Sequence, residues 1–89
     1  MQYTNIEGNL DEIQNFINAL DDYCDSLDKH TKSIQRKNDE VLTNWKSNQS
    51  EQADREIRAI CSKLNSISSR LKAGNQIIRN SIKVLRENT

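Results

Sequence analysis

Adjacent carboxylates are the residues of this sequence whose types come nearest to catalytic chemistry. The pairs Asp11-Glu12 and Asp21-Asp22 each supply two acids, as general acid–base catalysis requires. Neighbouring helix residues point about 100° apart, however, and no cleft is indicated that would hold a substrate between them. The only histidine, His30, has no Asp or Cys in helical register to orient or activate it. The sequence therefore predicts no catalytic residues and a protein that is not an enzyme.

The two cysteines, Cys24 and Cys61, are the other reactive side chains. They form no C-x-x-C motif and no histidine lies at ligand spacing, so neither a metal site nor a bound cofactor is predicted. If the chain folds back near Asn48, Cys24 lies opposite Lys72 and about 16 Å along the helices from Cys61. Because a disulfide needs Cα atoms within about 7 Å, the sequence predicts reduced, structural thiols.

The composition is typical of a small helical protein. The chain has 89 residues, of which 34% are hydrophobic, 29% charged and 4% aromatic, with two glycines and no proline. A chain of this size holds at most one domain and buries too little surface to be robust alone. The scarcity of aromatic residues disfavours an enclosed ligand pocket, and the rest of the composition suits exposed helices.

An apolar stripe with the coiled-coil period of about 3.5 residues runs through the first half of the chain. Its positions are Ile6, Leu10, Ile13, Ile17, Leu20, Cys24, Leu27, Thr31, Ile34, Asn38, Val41 and Trp45. This stripe predicts a helix over about residues 6–44. Two capping-box spacings, Thr4 with Glu7 and Asn9 with Glu12, leave its first residue open within a turn.

The same alternation of four and three residues recurs in the second half and predicts a helix over about residues 50–87. Its positions are Ala53, Ile57, Ile60, Leu64, Ile67, Leu71, Gly74, Ile78, Ser81 and Leu85. A cluster of Asn and Ser predicts a turn over about residues 45–49, with Asn48 and Glu51 at capping-box spacing. One uninterrupted helical rod is the competing architecture, because no proline breaks the chain.

Charge favours the hairpin over the rod. Residues 1–45 hold nine acids and four bases, whereas residues 46–89 hold four acids and nine bases. A fold near Asn48 lays the acidic stretch against the basic one, which selects the pairing and its direction. The predicted fold class is therefore all-α: residues 1–89 form a single antiparallel two-helix hairpin, which assembles into a four-helix bundle with a partner.

Residues beside the two stripes predict that partner. Phe16, Tyr23, Leu42, Ile77, Ile82 and Val84 widen the stripes and leave more apolar surface than one helix pair covers. A second copy of the chain or a larger helical protein would cover it. The predicted partner interface consists of Phe16, Leu20, Tyr23, Leu27, Ile34, Leu42, Ile57, Leu64, Leu71, Ile77, Ile78 and Leu85.

Three residues of the first stripe allow two interpretations each. A buried Asn commonly fixes helix register or oligomeric state, so Thr31 and Asn38 either specify the pairing or mark a partly solvated stretch. Trp45, the only tryptophan, either caps the hairpin core beside the small Ala53 or serves as an exposed docking anchor.

Nucleic acid and membrane are the less favoured partners. The bases of the second half surround its stripe rather than form one basic face, and the net charge is zero, so a small dimeric hairpin that grips RNA is only an alternative. No apolar run approaches the roughly 18 to 20 residues of a membrane span, so no membrane insertion is predicted. Residues 1–10 lack the features of a signal peptide, which predicts a protein made in the cytoplasm.

Two long proline-free helices around a central Trp45-Lys46-Ser47 turn resemble the WXG-motif, early-secreted-antigen-like family of small type VII secretion proteins. The resemblance covers nearly the whole chain in architecture, with Ser47 in place of the usual glycine of the motif. It implies a homodimer or heterodimer that passes a membrane secretion ATPase while folded, without a cleavable signal peptide, and makes Trp45, Lys46 and Ser47 the secretion-motif turn.

The same resemblance implies an accessory role. Family members combine the tryptophan turn with a Tyr-x-x-x-Asp or Tyr-x-x-x-Glu motif after the second helix, and the end of this sequence, residues 81–89, has no such tyrosine. The expected partner is the helical N-terminal domain of an LXG-type effector or another small WXG-like chain. Type III secretion needle subunits share the hairpin plan but use a proline-containing loop, and a generic coiled-coil adaptor is the remaining alternative.

Overall fold

Two long helices make up nearly all of the described chain. A computed structural model describes residues 6–88, with side chains from Gly8 onward. Helix α1 spans Ile6–Asn44 and helix α2 spans Asn48–Glu87, antiparallel to each other, in a rod with extents of 63 × 20 × 15 Å. The predicted all-α two-helix hairpin is confirmed. The single rod is wrong, since an unbroken helix of this many residues would be about 120 Å long.

The start of α1 decides between the two predicted caps only in part. Asn9 lies inside α1, so the cap formed by Asn9 with Glu12 is wrong. The other predicted cap residue, Thr4, lies outside the described residues. Because α1 already includes Ile6, the apolar stripe begins at the first described turn of the helix.

Only Trp45–Ser47 separates the helices, so the connection is shorter than predicted. The Trp45 amide donates to the Val41 carbonyl (2.9 Å) and ends α1. Ser47 caps α2: its hydroxyl accepts from the Ser50 amide (3.1 Å), and its own amide donates to Ser50 Oγ (2.8 Å). The predicted cap by Asn48 with Glu51 is therefore wrong, because a serine pair one residue earlier satisfies the free amides of the first turn. We call this end of the hairpin the tip and the opposite end the open end.

The helices touch along residues spaced seven apart, as the coiled-coil period requires. The buried residues at this spacing, which we call the contact layer, are Leu10, Ile17, Cys24 and Thr31 of α1 and Cys61, Ser68, Asn75 and Ile82 of α2. Large apolar side chains fill the layer at the open end, where Leu10, Ile17 and Ile82 form one cluster. Towards the tip the layer consists of small and polar side chains, including both free cysteines.

The apolar stripe predicted for α2 does not form the contact layer. Ile60 and Ile67, which belong to that stripe, remain about half exposed. Ile82, predicted to lie beside the stripe on surface left for a partner, is instead buried within the hairpin. Periodicity identifies which residues of a helix are apolar, but it does not show which neighbouring element covers them.

Candidate binding face

One side of the hairpin carries the large apolar side chains that the contact layer leaves uncovered. We call it the open apolar face; its exposed members are Ile13, Phe16, Tyr23, Ile34, Val41, Trp45, Ile60, Ile67, Ile77, Val84 and Leu85. Tyr23 is 62% exposed and Ile77 is 67% exposed. Apolar residues scattered singly over a surface need no explanation, whereas many on one side are typical of interaction surfaces.

Helical spacing places these residues on the same side of both helices. Phe16 directly precedes the contact-layer residue Ile17, and Ile67 directly precedes Ser68. A residue one position before or three after a given helix residue lies on the same flank of it. In an antiparallel pair that flank falls on one side of the hairpin for both helices. Ile77 and Val84 lie further round the same side of α2.

On the opposite side, ion pairs between described residues join α1 to α2. They are Asp11–Arg86 (3.2 Å), Asp21–Arg79 (2.6 Å), Asp28–Lys72 (2.5 Å) and Asp39–Arg58 (2.6 Å). Every acid in them belongs to α1 and every base to α2, as the charge distribution of the sequence predicted. We call this the ionic side. Its exposed pairs select the antiparallel alignment more than they stabilise it.

Two of these pairs shift pKa values. The hydrogen bond from Lys72 is the largest cause of the lowered pKa of Asp28, and the same bond raises the pKa of Lys72. The pKa of Arg58 is raised, first by its hydrogen bond to Asp39 and then by the charge of Asp54. Each shift favours the charged form, so all three groups are ionised at neutral pH.

All twelve residues of the predicted partner interface retain exposed surface. The exposed ones are Phe16, Tyr23, Ile34, Ile77 and Leu85; the half-buried ones are Leu20, Leu27, Leu42, Ile57, Leu64, Leu71 and Ile78. All the half-buried members except Leu42 lie between the contact layer and the open apolar face. They join that face to the hairpin interior, so one partner could cover the entire strip.

At the tip the open apolar face becomes a shallow groove of about 320 Å³. Its lining comes from both helices and the connection: Ile34, Lys37, Asn38, Val41, Leu42, Trp45, Ser50, Ala53 and Ile57. The Trp45 side chain is 48% exposed, so the indole both packs on its neighbours and presents surface. The secretion-motif turn of the sequence prediction, Trp45, Lys46 and Ser47, is the connection itself.

Polar cross-helix contacts in and beside the contact layer escaped the sequence analysis. Asn75, 1% exposed, donates through Nδ2 to the carbonyl oxygen of Ile17 (3.0 Å) and to Asp21 Oδ1 (2.8 Å). Near the tip, half-buried Asn38 donates to Asp54 Oδ1 (2.7 Å). The seven-residue spacing of Asp54, Cys61, Ser68, Asn75 and Ile82 was the available sign, but these mostly polar residues hid it from a search for apolar periodicity.

Of the two interpretations of Thr31 and Asn38, a solvated stretch fits Thr31 poorly. Thr31 is 1% exposed, and its hydroxyl donates to the Leu27 carbonyl in its own helix (2.8 Å). Asn38 is partly accessible but makes a cross-helix hydrogen bond. Thr31 is therefore buried in the contact layer although it is polar, and Asn38 contacts α2 at the edge of that layer.

Gly74 forms a gap in the open apolar face. It directly precedes Asn75 in the middle of α2, and a Cβ built on it would meet no atom within 4 Å. A glycine inside a helix costs about 0.5 to 1 kcal/mol relative to alanine. The hairpin itself gains no close packing from this glycine.

The described residues contain no group of three or more His, Cys, Asp or Glu side chains placed to hold a metal ion. Neither α1 nor α2, as far as the structure describes them, is long and apolar enough to cross a membrane.

No protein-family model, curated protein or solved structure matches this chain.

Proposed function

We propose that this chain is a non-enzymatic binding subunit that completes a four-helix bundle with a second helical protein. The observation that supports the proposal is the open apolar face, where ten described large hydrophobic side chains of the two helices, and Trp45 of the connection, are exposed. Burial of apolar surface is the dominant favourable term in most protein association. A helical partner with an apolar stripe of its own would cover this face, because two long helices form a continuous groove between them.

The position of the ionic side also supports binding through the open apolar face. Its acids and bases already pair with each other across the two helices, and they surround no exposed apolar stripe. Interface centres are depleted in charge and enriched in aromatic and aliphatic side chains, which describes the opposite side. We therefore assign Phe16, Tyr23 and their neighbours on the open apolar face to the interface centre, and Ile77, further round α2, to the part of the interface beside it.

The biological setting we propose is a type VII secretion complex, from the resemblance of Trp45-Lys46-Ser47 and the hairpin plan to the WXG family. In that setting the partner is the helical N-terminal domain of an LXG-type effector, another small WXG-like chain or a second copy. The complex would leave through the secretion ATPase without a cleavable signal peptide. The half-exposed Trp45 at a three-residue connection supports this assignment, since it is accessible to a receptor.

Ile77→Glu and Asn80→Glu test the binding face as a matched pair. Both positions are exposed on α2 and three residues apart, but only Ile77 belongs to the open apolar face. We expect both variants to stay helical, because neither side chain is buried within the hairpin. Ile77→Glu should lose association with the helical protein encoded beside this chain in its native host, or with itself, while Asn80→Glu should keep it.

Light scattering and co-purification measure that difference. A wild-type chain that stays a stable monomer at micromolar concentration and retrieves no helical protein from its host would contradict the proposed function. Equal binding by both variants would place the interface elsewhere on the hairpin. Retention of one defined RNA at physiological salt would favour the RNA-binding alternative, because nonspecific electrostatic binding falls steeply with salt.

A further inference from the structure

The contact layer of α2 is less apolar than the strip beside it. Of its four residues, Cys61, Ser68, Asn75 and Ile82, only Ile82 is a large hydrocarbon. Ile57, Leu64, Leu71 and Ile78 lie about 50° further round the helix and are only half buried. Hydrophobic burial grows with the apolar area removed from water. Burial alone would therefore favour turning the helices until these residues met each other.

Asn75 opposes that rotation. Its Nδ2 donates both to the main-chain carbonyl of Ile17 and to the Asp21 carboxylate. These two bonds hold α2 at one axial position and one rotation relative to α1, and we call such a contact a tie. A carbonyl oxygen has two lone pairs, and Ile17 therefore accepts this bond without losing the one within its helix. Turning α2 would carry the amide away from both acceptors.

A second tie of the same kind lies near the tip. Asn38 donates to Asp54 Oδ1, which also accepts from Arg58 Nε (2.7 Å). Asp54 and Asn75 are three heptads apart on α2, so the two contacts constrain rotation at two separate levels of the helix pair, one near the tip and one in the half towards the open end. A polar residue at one position of a helix seam is known to select a pairing geometry at some loss of stability.

We infer that Asn75 is a positioning residue that fixes the rotation of the two helices and so keeps the open apolar face turned outward. Asn38 and Asp54 assist it near the tip. Without these ties the free hairpin would turn its apolar strips inward and cover the surface a partner needs. The inference rests on the proposed function only in naming that face a binding surface.

The two cysteines report this rotation directly. Cys24 and Cys61 both lie in the contact layer, and each is 1% exposed. A rotation that brings the half-buried apolar residues between the helices moves both thiols from the layer to its edge. Their reaction rate with a thiol reagent such as Ellman's reagent therefore measures the rotation without any added label.

The experiment compares Asn75→Leu with Asn65→Leu, the same exchange at an exposed position of α2. Thiol reaction rates, helicity and melting are measured on the full chain at a dilution where it is monomeric. Asn75→Leu should keep or gain thermal stability, yet its thiols should react about tenfold faster, as a shift in a two-state rotation predicts. Asn65→Leu should react like wild type.

Thiols in Asn75→Leu that are as protected as in wild type would overturn the inference. If that variant loses helicity, Asn75→Ser removes the cross-helix bonds without added bulk and is judged by the same rates. Unfolding of both variants would assign Asn75 to stability alone and overturn the positioning role. The assay needs no partner, so its outcome is independent of the binding test. If the proposed function holds, Ile77→Glu keeps protected thiols but loses binding.

Discussion

Asn75 Nδ2 lies 3.0 Å from the carbonyl oxygen of Ile17, so a side chain of α2 reaches the backbone of α1 inside the buried layer. The two residues are 58 positions apart in the chain. The alignment of the helices thus depends on a directional polar contact as well as on the apolar cluster at the open end. Directional contacts specify one geometry, whereas apolar packing tolerates several.

The first prediction concerns Ser47, which caps α2 and stands where the WXG family that the turn resembles has its glycine. Its φ of −156° is extended backbone that any residue adopts, so glycine is not required there. Ser47→Ala should lower the free energy of unfolding by about 1 kcal/mol, and Ser47→Gly by only a few tenths. Urea unfolding monitored by circular dichroism measures both.

The exposed neighbour Lys46 provides the control, since Lys46→Ala leaves the capping box intact and should change stability little. A Ser47→Ala variant as stable as wild type would show that solvent replaces the cap.

The Asp28–Lys72 pair makes a pH prediction. Because the pKa of Asp28 is lowered in the folded chain, its contribution is present above its ordinary pKa and is lost as pH falls through the lowered value. The raised pKa of Lys72 gives a contribution that is complete below its ordinary value and is lost in strong alkali. Melting temperature should therefore be flat near neutrality and decline below about pH 4.

Asp28→Asn tests whether the Asp28–Lys72 pair causes this decline in melting temperature. Its control is Asp22→Asn, at an exposed acid of α1 for which the structure shows no ion pair. The first variant should melt slightly below wild type at pH 7 and equal it in strong acid. The second should follow wild type throughout. A deficit of Asp28→Asn that persists unchanged in strong acid would mean that the ion pair is not its cause.

The sequence was sufficient to predict the hairpin, the extent of α1 and the alignment of acids with bases, since period and charge both depend on residue type alone. It was insufficient at Ser47, because Asn48 with Glu51 matches the usual capping spacing equally well. It also missed Asn75. Whether a polar residue faces solvent or a neighbouring helix depends on tertiary contacts that a hydropathy pattern does not contain.

Substitution of Gly74 should affect the stability of the free hairpin and the binding of a partner in opposite directions. No atom lies within 4 Å of a Cβ added there, so Gly74→Ala should stabilise the free chain by about 0.5 to 1 kcal/mol. If a partner helix approaches α2 closely at this gap, the same methyl group should weaken association. Urea unfolding at low concentration and binding measured by calorimetry give the two values.

The neighbouring Ala73 is exposed and provides the reverse exchange. Ala73→Gly should destabilise the helix by a similar amount and leave binding unchanged. If Gly74→Ala raised stability and affinity together, the closest approach of the partner would lie elsewhere on the open apolar face.

Trp45 makes the last prediction, because its two interpretations give different results for Trp45→Ala. A fully buried tryptophan costs about 3 to 5 kcal/mol on truncation, but this side chain is 48% exposed, so we expect about 1 to 2 kcal/mol. The hairpin should then remain largely helical and keep its partner, since most of the open apolar face lies along the helices away from the tip. If the chain acts in the proposed type VII secretion complex, its export should nonetheless fall sharply, as expected for an aromatic docking anchor. Val41→Ala, which removes a neighbouring side chain of the same groove, provides the control for lost packing and should retain export. Circular-dichroism melting beside a secretion assay decides the matter: if export across the variants declines in proportion to helicity, Trp45 is a core cap and the docking role is excluded.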